Sequence, residues 1–90
     1  MEFEWNGDKA RANLSKHGVS FDEAKTVFDD PLYIDFYDPD HSDNEDRFII
    51  IGQSQQGHLL VVSYAERRQK IRLISAREAT RREKETYEEG

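Results

Sequence analysis

The chain has no cysteine, which excludes disulfides, thiolate metal sites and thiol nucleophiles. It has no apolar run near the ~20 residues a membrane-spanning helix needs. Its apolar runs, such as Phe48-Ile49-Ile50-Ile51, have the length of a strand. Prolines and glycines are few, at two and five among 90 residues. With no repeat, linker or low-complexity stretch, residues 1–90 read as one small domain. The opening Met1-Glu2-Phe3-Glu4 lacks the basic and apolar regions of a signal peptide. These absences lead to the expectation of a soluble cytoplasmic protein with no membrane association. A domain of this size buries little of its surface, so binding a partner would add to its stability.

Bases are also scarce. Lys and Arg number 13 against 19 Asp and Glu, for a net charge of -6. That total works against binding a polyanion, whose affinity comes mainly from Lys and Arg. The distribution changes the picture. Residues 20–46 hold ten acids against Lys25 alone, a net of -9, whereas residues 66–84 hold eight bases against Glu66, Glu78 and Glu83, a net of +5. This asymmetry fits either one face for an anion and another for a basic partner, or two solvated surfaces of opposite sign.

The hydrophobic pattern predicts an α+β fold. Phe3 and Trp5 alternate with Glu2 and Glu4 as in a short strand. Asn6-Gly7-Asp8 can cap a helix running to about His17, with Ala10, Leu14 and His17 on one face, Asn13 on that same face, and Gly18 as its left-handed terminator. Ser20 and Glu23 have capping-box spacing for a second helix over 21–28, with Phe21, Ala24, Val27 and Phe28 inward. Asp29-Asp30-Pro31 stops it. Leu32, Ile34 and Phe36 alternate with Tyr33, Asp35 and Tyr37. An acidic loop over 38–46 precedes three strands, 47–52, 58–64 and 70–75, whose short connections make them sequential and antiparallel. Thr80 and Glu83 cap a last helix to about Glu88, with Ser75 and Glu78 as a competing cap. That helix offers only Ala79 and Tyr87 as apolar residues, so it either packs little or waits for another chain. The expected architecture is a small antiparallel sheet with two N-terminal helices and a C-terminal helix, the helices grouped on one face.

The ordered set Phe3-Glu4-Trp5-Asn6, Lys9, Asn13, Lys16-His17-Gly18-Val19, Phe21, Glu23-Ala24 and Phe28-Asp29-Asp30 resembles the opening of the BrnT family. Glu45, Arg47, Gly52, Gly57 and Leu60-Val61-Val62-Ser63-Tyr64 continue it, and Ile71-Arg72-Leu73-Ile74-Ser75-Ala76-Arg77 with Glu78-Ala79 closes it. The resemblance covers nearly the whole chain. It implies a compact toxin fold similar to RelE-type ribonucleases and RNA cleavage that stalls translation. It also implies inhibition by a cognate BrnA antitoxin carrying a ribbon-helix-helix DNA-binding region. A homodimer or a toxin–antitoxin heterotetramer is compatible with it. Toxins of this class are more often basic, so the charge of -6 is a departure.

Cutting RNA without a metal or other cofactor needs a base for the 2′-OH, cations on the phosphoryl oxygens and an acid for the leaving 5′-oxygen. His17 has suitable proton chemistry. Beside Lys16 in the last helical turn, it equally suits the negative end of the helix dipole. Arg67, Arg72 and Arg77 are the candidate phosphate-stabilising residues, because a guanidinium stays charged and binds phosphate through two donors. If Ile71, Leu73 and Ser75 face the core, Arg72 stands on the open face with Lys70, Ile74 and Ala76. Lys9, Lys16, Arg68 and Tyr64 are candidate RNA-binding residues, Tyr64 by stacking on a base; Trp5 suits packing. The alternative for the arginines is a solvated patch partnered by Glu66 and Glu78. His41 sits in the acidic loop, and His58 reads as an exposed edge residue. Asp40, His41, Asp43 and Glu45 are metal ligands by type, but their spacing matches no known loop, so no metal site is expected. Three functions compete: a ribonuclease toxin, a binding module that holds an antitoxin without cutting RNA, and a small regulator that contacts DNA. The acidic half disfavours the last.

Overall fold

In a computed structural model, residues 1–42 and 44–90 are described. The element order is β1 (Glu2–Glu4), α1 (Gly7–His17), α2 (Phe21–Ala24), β2 (Ile34–Tyr37), β3 (Arg47–Gln53), β4 (Leu59–Arg67), β5 (Lys70–Glu78) and α3 (Arg81–Glu89). Two short 3-10 turns, Lys25–Asp29 and Pro39–His41, flank β2. The five strands form one sheet in the order β1-β5-β4-β3-β2.

The sheet is not purely antiparallel. The three hairpin-linked pairs are, but β1 lies parallel to β5, with Glu2, Phe3 and Glu4 opposite Lys70, Ile71 and Arg72. Parallel pairing needs a long crossover, and nearly the whole chain between β1 and β5 supplies it. Alternation along β1 carries no information about which strand it will join.

α1 starts where Asn6 caps the amides of Asp8 and Lys9 and stops at Gly18, whose φ of 70° favours glycine. Of its expected inward face, Asn13 is buried and Ala10 packs against the core, but Leu14 is half-exposed. The Asn13 amide donates to the carbonyls of Val19 and Ala76 at 2.9 and 2.8 Å and accepts from the Ala76 N–H at 3.0 Å. One side chain thus continues the ladder on β5 beyond the end of β1. A buried polar residue is tolerated there because its bonds are satisfied.

The second helix is only half α-helical, tightening into the 3-10 turn after Ala24. Its capping box is also half made. Ser20 Oγ accepts from the Glu23 N–H, while the Glu23 carboxylate turns away to Ser54 and His58. The inward stripe survives: Phe21, Ala24 and Val27 are buried with Val19, Ile50, Leu60, Val62, Tyr64, Ile71, Leu73 and Ala76. Gly52 lets this layer close, since a Cβ there would meet Val27 Cγ1 at 2.8 Å.

A bulge in β5 resets its alternation. Ser63 pairs with Ser75 but Tyr64 pairs with Leu73, leaving Ile74 unmatched. Ile71 and Leu73 therefore point to the core before the bulge and Ala76 after it. This overturns the expected grouping of Ala76 with Arg72, and β5 runs on through Arg77 to Glu78. The extension also removes the competing Ser75–Glu78 cap, and the Thr80–Glu83 capping box is complete.

The helices are not all on one face. Alternation places Arg77 opposite the face that holds Ala76, and Arg77 binds Glu83 of α3 through both nitrogens at 2.7 Å. At the other end of α3, the Tyr87 hydroxyl donates to Asp30 Oδ2 at 2.7 Å, and that oxygen also accepts from the Gln53 N–H. The polar last helix is thus fastened by two polar ties. Among the described residues, no helix is long and apolar enough to cross a membrane.

Candidate nucleic-acid interface

Strand register decides which basic residues share a surface. Arg47 lies opposite Ala65, and Ala65 lies opposite Arg72, so the three form a row across β3, β4 and β5. Two strand spacings put the arginine Cα atoms about 10 Å apart. In the next row, Arg67 of β4 pairs with Lys70 of β5. Glu4 of β1 sits opposite Arg72 and Glu2 opposite Lys70. Ala65 is fully buried, while Arg47 and Arg72 are half-buried.

Two adjoining recesses mark this end of the molecule. One, of about 210 Å³, is lined by Glu4, Arg67, Arg68 and Lys70. The other, of about 280 Å³, is lined by Glu4, Trp5, Asn6 and Arg72. Glu4 belongs to both. A nucleotide lying across them meets four cations, one carboxylate and the indole of Trp5. The larger recess of about 420 Å³ at the far end is lined by Thr26, Asp29, Asp30, Pro31, Gln53, Ser54, Gln55 and Gly57. Its aspartates repel a phosphate chain.

The tip between β4 and β5 is strained. Arg68 and Gln69 have φ of 52° and 68°. A two-residue hairpin with both residues at positive φ normally carries Asn or Gly. Arg68 is thereby held at the apex of the basic end.

The expected site residues do not all come together. Arg67, Arg68 and Arg72 come together, and Lys70 joins them. Arg77 does not: it lies about 15 Å along β5 from Arg72 and is held by Glu83. The hydrogen bond from Arg77, opposed by burial, pulls the Glu83 carboxyl down to about 2. His17 is also apart. It is half-buried in the last turn of α1, one turn beyond the Asn13 contact with Ala76, and therefore at the opposite end of β5 from Arg72. Lys9 and Lys16 are exposed on α1.

Tyr64 cannot stack on a base as expected. It is 3% exposed, packed between Phe28 and Phe48, with its hydroxyl donating to Asp35 at 3.0 Å. Burial, then that hydrogen bond, pushes the hydroxyl well above the usual phenol range. Even residues of β4 face the helices, so Tyr64 follows Leu60 and Val62 inward.

Lys70 and Glu4 were absent from the site as read from sequence. Their alternation within β5 and β1 was readable, but which strands are neighbours was not. Arg47 shares the row but turns to Glu45 at 3.6 Å and lines a separate recess with Asp40, His41, Asn44 and Glu45. His58 is less idle than expected. Its Nδ1 lies 2.6 Å from Glu23 Oε2, and the hydrogen bond and charge of Glu23 raise its pKa. Ser54 Oγ donates to the same carboxylate oxygen at 2.7 Å, so Glu23 ties the start of α2 to the β3–β4 turn. Among the described residues, no group of three or more His, Asp or Glu is placed to hold a metal ion. His41 Nδ1 meets Asp38 at 2.9 Å, and Asp43 lies outside the described residues.

No curated protein matches the sequence. The crystal structure of the Brucella abortus ribonuclease toxin BrnT is similar in fold, with a TM-score of 0.66 and 20% identity over 90% of this chain and 99% of that one. The mixed α+β architecture of this chain, a five-stranded sheet with three α-helices among the described residues, is similar to that structure. A family model described as the ribonuclease toxin, BrnT, of type II toxin–antitoxin systems matches residues 5–83, a span that takes in Trp5, Arg67, Arg68, Lys70 and Arg72. The chain belongs to the BrnT family of ribonuclease toxins.

Proposed function

We propose that this ribonuclease toxin, RelE-like in kind, cuts single-stranded RNA at the basic hairpin end of its sheet, without a metal ion. The observation that carries this is the pair of recesses sharing Glu4 and walled by Arg67, Arg68, Lys70 and Arg72. Arg72 and Arg67 hold the non-bridging oxygens of the scissile phosphate, Arg68 the next phosphate, and Trp5 a base. Glu4 takes the proton of the 2′-OH. The 2′-oxygen then bonds to phosphorus as the bond to the 5′-oxygen breaks, and Lys70 or water protonates the departing oxygen. The products are a 2′,3′-cyclic phosphate and a free 5′-OH. Lys9 and Lys16 extend the cationic track along α1. His17 and Arg77 have other work in this reading, at a helix end and in holding α3.

The assay is cleavage of a labelled single-stranded RNA by the purified chain in EDTA, with the 3′ ends identified. A cyclic phosphate in EDTA is the expected result. Activity lost in EDTA and restored by Mg²⁺ would overturn the metal-independent route. A folded parent that binds its antitoxin but cuts no RNA would favour the binding-module reading.

The antitoxin is, in the same proposal, a BrnA-like protein with a ribbon-helix-helix region, joined to the toxin in a heterotetramer. Sedimentation of the co-expressed pair tests the stoichiometry.

A further inference from the structure

β2 is an edge strand whose one sheet partner is β3. Edge strands are commonly blunted by lysine, by an internal proline or by a bulge. β2, Ile-Asp-Phe-Tyr, has none of these; it is short, and its one charge, Asp35, is turned inward to the Tyr64 hydroxyl rather than set along the open edge. Instead it and the residues before it expose large side chains: Leu32 is 69% exposed, Tyr33 44%, Phe36 47% and Tyr37 48%. RNA cleavage at the far side of the sheet uses none of them.

The backbone along this edge is also available. Asp38 N–H donates to the Arg47 carbonyl at 2.9 Å. Bonding alternates along an antiparallel pair, so Phe36 and Ile34 likewise turn to β3, and the amides of Asp35 and Tyr37 turn outward. Outward amides flanked by apolar and aromatic side chains are what strand addition requires.

Charge selects the occupant. Residues 29–46 contain eight acids and no Lys or Arg. A second copy of this chain would set two such acidic edges against each other, and like charges on paired strands repel. A basic strand meets no such barrier and gains from the complementary field.

We propose that the free edge of β2 accepts a basic, β-forming segment of the antitoxin as a sixth strand. Phe36 pairs with Ile49 on the sheet face that also carries Arg47 and Arg72, so a partner seated there shares a sheet face with the RNA interface, three strands away from it. The proposal rests on the family's having an antitoxin and not on which residues cut RNA.

The test uses the product of the adjacent gene as the probe, titrated into the full chain by calorimetry. The variant is Leu32→Lys with Phe36→Lys, which places two cations where a basic strand would dock. Both side chains are exposed, and circular dichroism verifies the fold. Two lost contacts at roughly tenfold each predict about 100-fold weaker binding, with RNA cleavage by the free variant unchanged. Hydrogen exchange supplies a second reading: on complex formation the Asp35 and Tyr37 amides slow, whereas Phe36, already paired, changes little. Parental affinity in the folded double variant, or Asp35 and Tyr37 amides that exchange equally fast in the complex, would overturn the proposal. A homodimer of the toxin alone that the double variant abolishes would do so too. A parent that fails to cut RNA sinks the cleavage reading and leaves this one standing.

Discussion

β2 and the β4–β5 hairpin lie on one sheet, with β2 three strands from β5, and they face solvent with opposite chemistry. The acidic side presents apolar side chains, an unpaired backbone edge and no base over residues 29–46. The basic side presents Arg67, Arg68, Lys70 and Arg72 around Glu4, with its edge closed by β1. Three strand spacings separate them by about 15 Å, beyond the roughly 8 Å over which exposed charges act in physiological salt. An RNA phosphate at the hairpin therefore responds to the local cations and hardly to the net charge of -6. A net charge is a poor guide to ligand class when a small sheet keeps its two signs on separate edges.

The comparison is broken most directly at Arg72. If the basic side is the cleavage site, Arg72→Ala lowers the single-turnover rate roughly 10²–10³-fold, as loss of a charge-stabilising donor does, with the fold intact. A variant that cuts as fast as the parent would leave the basic side as a solvated surface.

Asn13→Ala tests what holds α1 on β5 beyond the end of β1, away from the basic hairpin. It removes three hydrogen bonds and strands the Ala76 amide and carbonyl beside α1. The expected loss is about 2–3 kcal/mol of unfolding free energy, measured by urea titration. A loss below about 0.5 kcal/mol would mean that water replaces the amide without penalty.

The hairpin tip separates function from folding. Arg68→Asn with Gln69→Gly relieves two positive-φ residues and should raise stability by about 1–2 kcal/mol. Because it also deletes a cation, RNA affinity should fall and its salt dependence become shallower. A more stable chain with unchanged RNA affinity would remove Arg68 from the interface.

Arg77→Ala should behave oppositely to Arg72→Ala, leaving cleavage within about threefold and lowering stability by about 1 kcal/mol or less, since the pair is partly exposed. Its pH signature follows from Glu83. The folded value of about 2 lies below the free value of 4.5, so the pair contributes fully above about pH 5 and fades as pH falls from 4.5 towards 2. Acid titrations of parent and variant should diverge above pH 5 and converge near pH 2. Parallel curves across that range would show that the Arg77–Glu83 pair does not hold α3.

Much of the fold was legible from local chemistry. Asn6, Gly18, Ser20 and Thr80 mark helix ends through hydrogen bonds to their own neighbours, and three strands follow from period-two alternation and short turns. Those signals lie within a few residues of what they specify. Family membership was legible too, in ordered motifs that, apart from Phe3-Glu4, lie within the matched span 5–83. Long-range pairing decided the rest. The parallel docking of β1 on β5 brings Glu4 to Arg72, and the bulge at Ile74 turns Ala76 inward and sends Arg77 to Glu83. Tyr64 is buried because β4 is central and covered by α2 and the turn that follows it, something its own segment cannot state. Periodicity tells which side chains on a strand share a face. Only the packing of strand against strand tells which strands stand together, and that is why a group of arginines was visible in the sequence while the arrival of Glu4 beside it and the departure of Arg77 were not.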